Sequence, residues 1–292
     1  MIEGKIIKLI SGVYTVKLDN EIIETKPVGV IRHQGITPLV GDDCILNDKM
    51  QIEQILPRKN ELLRPRVSNV DKVIITTSLT RPDLNLNLLD RLIAQVEWRD
   101  IKIVLAFTKA DLVNLDEFKV VLDYYKGLNY PVYIIPNQME DLAKEIEGNI
   151  CVLAGQSGVG KSKIVNRLDP TLKLKEDDIS IALGRGKHTT RVTEVYFING
   201  GYIADTPGFG SLELEMDEVS LMHTFRDFFP NSCKFGGCLH LNEPKCFVKD
   251  KVESGEILKS RYENYVSFIS EIRGSKEKML IERIKKRKGK TK

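Results

Sequence analysis

Residues 155–162 read GQSGVGKS and match the phosphate-loop pattern G-x-x-x-x-G-K-S without exception. The glycines let the backbone curl so that its N–H groups face phosphates. Lys161, a predicted catalytic residue, reaches the β- and γ-phosphates, and the Ser162 hydroxyl ligates Mg²⁺. The pattern lies between a strand-like run and a helix-like run, which is the setting of a phosphate loop, but it does not distinguish ATP from GTP. The residues predicted to bind nucleotide here are Gly155, Gln156, Ser157, Gly158, Val159, Gly160, Lys161, Ser162 and Lys163.

A second nucleotide-binding pattern is the tetrapeptide TKAD at 108–111, which follows the strand-like run IKIVLAF. The Asp111 carboxylate can accept hydrogen bonds from both the N1–H and the N2–H₂ of guanine, and Lys109 can cover the ring plane. Adenine offers no such pair of donors, so the tetrapeptide predicts a preference for guanine. Thr108 stands where asparagine is commoner, and we include Thr108, Lys109 and Asp111 among the predicted nucleotide-binding residues. Residues 136–138 match no guanine-contacting loop.

The motif DTPGF at 205–209 follows the strand-like run GYIAD. In phosphate-loop enzymes an aspartate at this place holds the Mg²⁺ shell, and the glycine N–H senses the γ-phosphate. Asp205 and Gly208 are therefore predicted nucleotide-binding residues. The next residue is Phe209, which cannot orient a water molecule by hydrogen bonding, so another group must do so.

Residues 183–194, LGRGKHTTRVTE, lie between the phosphate loop and DTPGF. The segment is polar, contains glycines and has no regular periodicity, which is typical of a switch loop that orders around the γ-phosphate and Mg²⁺. A threonine hydroxyl from this loop would complete the metal shell together with Ser162. Thr189 and Thr190 are both predicted magnesium ligands, and the sequence does not choose between them.

A separate metal-binding pattern occupies residues 233–246, CKFGGCLHLNEPKC. Three thiolates and one imidazole form a closed tetrahedral set that is typical of a structural zinc site, so we expect no metal catalysis there. The other two cysteines, Cys44 and Cys151, lie in apolar strand-like runs and are predicted to be buried thiols. The predicted zinc ligands are Cys233, Cys238, His240 and Cys246.

The elements that position these motifs divide the chain in three. Residues 1–64 contain short runs with period-two alternation, which predict a small β-barrel of the OB kind. Residues 58–71 read as a linker. From Asp71 strands and helices alternate, which predicts a mostly parallel sheet with ligands beyond the carboxyl ends of its strands. The predicted barrel strands are GKIIKLI, GVYTVKL, EIIETKP, VGVIRH, DDCIL and QIEQIL.

The motifs occur in the order TKAD, phosphate loop, switch loop, DTPGF. TKAD would ordinarily come last, so the order predicts a circular permutation in which DLAKEIEGN joins the original termini. Residues beyond about 216 become helical and polar. We therefore predict a multidomain chain: a barrel and linker at 1–66, an α/β phosphate-loop domain at 67–215, and a helical zinc-binding domain at 216–292.

Composition limits the classes of function. The chain has 292 residues, of which 42% are hydrophobic and 29% charged, as in a protein with a substantial core. No apolar run approaches the length needed to span a bilayer, and the first residues lack the layout of a signal peptide, so we expect a cytoplasmic protein without a membrane partner. The last eight residues, KKRKGKTK, hold six basic side chains, which would attract phosphate backbones.

The barrel, the linker, TKAD, GQSGVGKS, GRGKHTT, DTPGF and the Cys/His cluster together resemble the ribosome small-subunit-dependent GTPase A (RsgA) family over essentially the whole chain. The resemblance implies an OB-fold, a circularly permuted GTPase domain and a zinc-binding C-terminal domain. It also implies late maturation of the 30S subunit, with GTP hydrolysis to GDP stimulated by that subunit. His188 is the catalytic residue that it suggests for orienting water.

Two alternatives from other classes stay open. One is an ATP-dependent enzyme that uses the same phosphate loop, and the other is an RNA-binding module in which nucleotide is only structural. For the favoured interpretation we expect a monomer that binds GTP or GDP with Mg²⁺, holds one structural Zn²⁺, and contacts the 30S subunit and its 16S rRNA.

Overall fold

The structure is a computed structural model that describes residues 2–10, 12–33, 35–63, 66–174, 193–205, 213–230, 233 and 237–288. The chain forms two compact units. Unit 1 comprises Met1–Leu84, Ile101–Lys119 and Tyr130–Ser211, and unit 2 comprises Asn85–Asp100, Val120–Asn129 and Leu212–Lys292. The division into domains at 1–66, 67–215 and 216–292 stays a prediction.

The regular elements follow the predicted sequence of strands and helices in most places. None of the helices in the described ranges is long and apolar enough to cross a membrane. The strands are β1 (Ile2–Ile10), β2 (Val13–Lys17), β3 (Ile22–Thr25), β4 (Asp43–Leu46), β5 (Ile52–Ile55), β6 (Glu61–Leu63), β7 (Arg66–Ser68), β8 (Lys72–Ser78), β9 (Lys102–Thr108), β10 (Val132–Ile134), β11 (Ile150–Ala154), β12 (Thr193–Ile198) and β13 (Gly201–Asp205). The helices are α1 (Gly29–His33), α2 (Leu86–Glu97), α3 (Lys119–Gly127), α4 (Met139–Lys144), α5 (Lys161–Leu168), α6 (Glu218–His223), α7 (Phe247–Glu253) and α8 (Lys259–Lys288).

The first five strands form the predicted barrel. β1 pairs with β2 on one side and β4 on the other, β2 pairs with β3, and β4 pairs with β5, all antiparallel. A parallel bridge between Pro27 and Ile52 brings the end of β3 to the start of β5 and closes the ring. Alternate residues fill the interior, among them Ile6, Val16 and Leu46, each at most 1% exposed. This closed five-stranded order confirms the OB-type prediction.

Two local predictions for the N-terminal region are wrong. The run VGVIRH was predicted as a strand, but Gly29–His33 forms helix α1, in which Ile31 is buried and Val30 is exposed. A run this short carries too few periods to separate a strand from a helical turn. The stretch 58–71 was predicted as a linker, but it contains the hairpin β6–β7, where Leu62 pairs with Val67 and both are buried.

The main sheet of unit 1 has the parallel order β10-β9-β8-β11-β13, and β12 joins β13 antiparallel. Its strands are apolar and buried; all five residues of β11 are buried, for example. In the order before permutation, the original termini lie at β10 and β11 and are joined through α4. The strands of that order run β11, β12, β13, β8, β9, β10. In that sequence β11, which carries the phosphate loop, precedes β9, which leads into TKAD at 108–111 (the base loop), as the predicted permutation requires. The sheet continues into the barrel because β12 pairs with β1.

Unit 2 is helical and has its own apolar core, which includes Phe225, Phe228, Tyr265 and Phe268. Its helix α2 belongs to the α/β part of the sequence but packs against α8. The Arg91 guanidinium pairs with Glu271 at 2.6 and 3.0 Å, and it stacks on Phe268 at 4.5 Å. Unit 2 is therefore assembled from three stretches that are distant in sequence.

Candidate functional site

The carboxyl ends of three adjacent parallel strands bring the two nucleotide motifs together. β8 lies between β9 and β11, with Ser78 paired to Thr108 and Ile75 paired to Ala154. The tetrapeptide TKAD continues from β9 and the phosphate loop continues from β11. Because parallel strands end at one edge of the sheet, both loops emerge beside the end of β8. Sequence reasoning placed each motif after a strand, and the register makes the two loops neighbours.

The phosphate loop turns on glycines that no other residue could replace without strain. Gly155 has φ 146°, and a Cβ there would overlap the Thr76 carbonyl oxygen of β8. Gly158 has φ 78°, and Gly160, the N-cap of α5, has φ 100°. Left-handed backbone at these positions favours glycine because a side chain would clash. The loop therefore lies directly against the neighbouring strand and opens onto the N-terminus of α5, where anions are stabilised.

The two chemically active side chains of this loop are buried within it. Lys161 is 7% exposed, and its Nζ donates to the carbonyl oxygens of Gly155 at 2.8 Å and Gln156 at 2.7 Å. Ser162 is 4% exposed. The ammonium charge is thus held inside the ring of backbone that the phosphates would occupy. Gln156, Ser157, Gly158 and Lys163 are exposed, and Val159 is buried.

The base loop is tied to the phosphate loop by two side chains. Thr108 is buried, and its hydroxyl donates to Val159 O at 2.5 Å. Lys109 has φ 61°, and its Nζ donates to Gly158 O at 2.9 Å and to Arg81 O. The Thr108 hydroxyl therefore holds the phosphate loop in place through Val159 O. A direct contact between Thr108 and nucleotide stays a prediction.

Asp111 is exposed in a single turn of 3-10 helix, Ala110–Leu112. The backbone N–H of Ala110 donates to Ile135 O at 3.1 Å, which fixes this turn against the end of β10. A carboxylate held in this way is available to accept two hydrogen bonds from a ligand. The position agrees with the role predicted for Asp111, which no contact in the structure tests.

Several predicted site residues lie outside the described part of the chain. They are His188, Thr189, Thr190 and Gly208. Asp205 is the last residue of β13, where its backbone pairs with Glu194. β13 is parallel to β11, so Asp205 lies at the carboxyl end of the strand beside the one that leads into the phosphate loop.

Sequence reasoning missed the segment that follows β8. Arg81 belongs to it and supplies a carbonyl oxygen to Lys109. Ser78, the last residue of β8, holds the segment by donating to Pro82 O. The available signal was the rule that ligands bind beyond the carboxyl ends of parallel strands. β8 is a buried strand, and its carboxyl end lies between those of the two strands that carry the nucleotide motifs. No motif marks the segment, so nothing in the residue types directed attention to it.

The predicted metal ligands also come together. The ligand atoms of Cys233, Cys238, His240 and Cys246 all lie within 4.8 Å of one another. The Nδ1 atom of His240 lies 3.6, 3.3 and 3.4 Å from the sulfurs of Cys233, Cys238 and Cys246. Bonds of about 2.3 Å to sulfur and 2.0–2.1 Å to nitrogen give a tetrahedron a sulfur–nitrogen edge of about 3.6 Å, so the residues fit a tetrahedral metal ion.

The surroundings of this cluster hold its ligands in place. Tyr262 donates its hydroxyl to His240 O at 2.6 Å, and the Glu243 carboxylate accepts from the N–H groups of Leu239, Leu241 and Asn242. Burial lowers the pKa of His240, which favours the neutral imidazole that binds metals. Burial also raises the pKa of the Cys238 thiol to about 12 in the absence of a cation, so this thiol needs a bound cation to become a thiolate.

Comparisons with known proteins find similar chains over almost the whole length of this one. A family model described as RsgA GTPase matches residues 55–215, and one described as RsgA N-terminal domain matches residues 3–53. A relative named Small ribosomal subunit biogenesis GTPase RsgA, from Geobacillus sp. (strain WCH70), is 45% identical over 293 residues, covering 94% of this chain and 99% of the relative. The protein of the same name from Bacillus subtilis (strain 168) is 42% identical over 295 residues, with the same coverage.

Two crystal structures share the fold. YloQ, a circularly permuted GTPase, has a TM-score of 0.79 and 38% identity, with 94% of this chain and 96% of that chain covered. YjeQ from Thermotoga maritima has a TM-score of 0.79 and 34% identity, with 94% and 99% covered. These similarities confirm the predicted permuted order of the nucleotide motifs.

Proposed function

The chain belongs to the RsgA GTPase family, and from this premise we propose that it binds GTP with Mg²⁺, hydrolyses it to GDP and phosphate, and acts in the biogenesis of the small ribosomal subunit. The observation that carries the proposal is the joining of the base loop to the phosphate loop. Thr108 and Lys109 donate to the carbonyl oxygens of Val159 and Gly158. This supports a site in which Asp111, the residue predicted to select guanine, lies beside the phosphate loop.

We assign the phosphate chemistry as follows. Phosphate oxygens replace the two backbone carbonyls as partners of Lys161, which then stabilises the charge that develops on transfer. Ser162, Asp205 and one of Thr189 and Thr190 would hold the Mg²⁺. When bound, Mg²⁺ would neutralise phosphate charge during transfer.

The attacking water needs a separate partner. The Gly208 N–H senses the γ-phosphate, and the next residue, Phe209, has no hydrogen-bonding group in its side chain. We therefore assign the orientation of the water to His188. An imidazole can accept a proton from water near neutral pH, whereas a phenyl ring cannot.

We further propose that Cys233, Cys238, His240 and Cys246 hold one structural Zn²⁺. Three thiolates and an imidazole are a common zinc set, and four protein ligands leave no position for a substrate. The ion would therefore stabilise the surrounding helices. The basic residues of 285–292 would add attraction to the phosphates of 16S rRNA. We expect a monomer that acts in the cytoplasm, where ribosomal subunits are made.

Phosphate release from GTP, measured with and without purified small ribosomal subunits, tests the proposed function. We expect slow release by the protein alone and strong stimulation by subunits, because a partner that completes a transition-state site contributes a factor of about 10³–10⁵ in related enzymes. The Lys161→Ala variant should lose both activities, and His188→Ala should lose the stimulated one.

Competition with ATP completes this experiment. Excess ATP should leave GTP hydrolysis unchanged, since adenine lacks the donor pair that Asp111 reads. Equal competition by ATP would instead indicate an ATP-dependent enzyme. Nucleotide binding without stimulated hydrolysis would indicate an RNA-binding module in which nucleotide is structural.

A further inference from the structure

Ser78, the last residue of β8, closes a turn beside both nucleotide loops. It is 1% exposed, and its hydroxyl donates to Pro82 O at 2.6 Å. The sheet fixes its backbone, because Ser78 pairs with Thr108 and the next N–H, of Leu79, donates to Thr108 O at 3.1 Å. The side chain of Ser78 thus holds the turn at 79–82 against a rigid strand end.

This turn contacts both loops of the nucleotide site. Arg81 has φ 49°, a left-handed conformation that is uncommon for residues other than glycine, and its carbonyl oxygen accepts a hydrogen bond from Lys109 Nζ. Pro82 lies against the phosphate loop, since a Cβ built on Gly158 would be 3.8 Å from its Cδ. The turn therefore forms a third wall of the site, next to the base loop and the phosphate loop.

Lys109 is held from two sides. Its Nζ donates to Arg81 O on the turn and, at 2.9 Å, to Gly158 O on the phosphate loop. A lysine side chain has four rotatable bonds, and fixing its ammonium between two carbonyls also fixes the aliphatic stem. The stem is the part that would cover the plane of a bound guanine.

We propose that Ser78 is a positioning residue for guanine binding, which acts by holding the turn at 79–82 so that Arg81 O anchors Lys109. The inference rests on the proposed function, because it needs guanine at this site. Ser78 acts on the part of the site that binds the guanine base, which GDP and GTP share. The Ser78 hydroxyl should therefore lengthen the lifetimes of bound GDP and of bound GTP by the same factor.

The test measures the release of a fluorescent GDP analogue and of a non-hydrolysable GTP analogue by stopped flow. Ser78→Ala should release both about two- to tenfold faster than wild type, the change expected for one lost hydrogen bond. Ser78→Thr keeps the hydroxyl and should restore the slow rate. Ser78→Cys keeps the size of the side chain but donates weakly, so it should resemble Ser78→Ala.

Ser68→Ala is the matched control. Ser68 is also fully buried, and its hydroxyl also donates to a backbone carbonyl, that of Val40 at 3.3 Å. Ser68 belongs to β7 of the hairpin β6–β7, however, and not to the nucleotide loops. This variant should release nucleotide at the wild-type rate. Equal acceleration in Ser68→Ala would show a general effect of losing a buried hydroxyl and would overturn the proposal.

A double-mutant cycle separates positioning from a merely structural role. If Ser78 acts through Lys109, adding Ser78→Ala to Lys109→Ala should not accelerate release further, since the two changes remove one interaction. Additive acceleration would overturn the proposal. Failure of wild type to prefer GDP over ADP would overturn the proposed function itself, whereas wild-type preference with unchanged release from Ser78→Ala would overturn this inference alone.

Discussion

At the scale of single residues, Asp111 bears most of the expected guanine selectivity. Its carboxylate is exposed at a fixed turn, and a carboxylate accepts two hydrogen bonds from guanine. In Asp111→Asn one acceptor becomes an NH₂ donor that faces a donor of the base. We expect the affinity for GDP to fall by about 2–4 kcal/mol, or roughly 30- to 1000-fold. Xanthine has a carbonyl where guanine has the amino group, so the variant should bind XDP better than wild type does.

Competition binding with GDP, XDP and ADP measures this change. Asp116→Asn serves as the control, because Asp116 is an exposed acid on the following 3-10 turn and has no predicted contact with the base. It should leave all three affinities unchanged. A GDP affinity in Asp111→Asn equal to that of wild type would remove the guanine role from Asp111.

The residue types alone predicted a nucleotide contact for Thr108 but not its observed bond. A threonine in place of asparagine looks like a weakened base contact, whereas the structure has its hydroxyl donating to Val159 O. Only the register of β8 against β9 and β11 places that carbonyl within reach. Contacts between loops that are 51 residues apart depend on sheet order, which motif spacing does not contain.

At the scale of elements, one buried ion cluster joins α2, α8 and the 3-10 turn Arg226–Phe228. Arg261 is 1% exposed; its NH1 lies 2.5 Å from Asp90 Oδ1 and its Nε lies 3.0 Å from both carboxylate oxygens of Asp227. Tyr125 donates to Asp90 at 2.6 Å, and burial raises its pKa well above the usual value, so it stays a neutral donor. The cluster is fully hydrogen-bonded at both carboxylates.

Removal of the central arginine should be costly. Arg261→Met would leave two buried carboxylates without their cation, and we expect the free energy of unfolding to fall by about 3–5 kcal/mol. Urea denaturation followed by the helical circular dichroism signal measures this loss. Arg273→Met on the same helix is the control, because Arg273 is half exposed and pairs with Glu218 at 2.9 Å. It should cost at most about 1 kcal/mol, and an equal cost of the two variants would contradict the role of the cluster.

Sequence reasoning located the strands of the barrel and of the main sheet, but it missed helix α1 and the hairpin β6–β7. The buried strands β8, β9 and β11 are continuous apolar runs between turn residues, so period and length predicted them. The hairpin in 58–71 was hidden by its polar composition. Asn60, which lies just before β6, stabilises the hairpin. The side-chain amide of Asn60 donates to Val70 O and accepts from Val70 N–H, both at 2.8 Å. Such side-chain-to-backbone pairs leave no periodic signal.

At the scale of the whole molecule, unit 2 gathers three stretches that are distant in sequence. Unit 2 includes Asn85–Asp100 and Val120–Asn129, which lie between strands of the main sheet in sequence. Their buried groups find partners in the C-terminal residues: Asn87 donates to Asn264 at 2.9 Å, and Asp90 pairs with Arg261. The residues 67–215 therefore do not contain all the contacts that two of their own helices need.

A chain that ends at residue 215 should consequently be much less stable than the full chain. It would leave Asp90 buried without Arg261 and would expose the apolar face of α2, including Leu92, Ile93 and Val96, which are at most 3% exposed in the full chain. Loss of the Arg261 contacts alone, about 3–5 kcal/mol, corresponds to about 5–10 °C in melting temperature for a chain of this size. Differential scanning fluorimetry with and without GDP measures the change.

A chain that ends at residue 276 is the matched control for this truncation. It loses the basic tail but keeps Arg261, Phe268 and Glu271, so its melting temperature should stay within about 4 °C of the full chain. If residues 1–215 melted at the same temperature as the full chain and bound GDP equally well, α2 and α3 would not need their C-terminal partners. That result would favour three independent domains, because the nucleotide loops would then fold and bind without any of the contacts that unit 2 supplies.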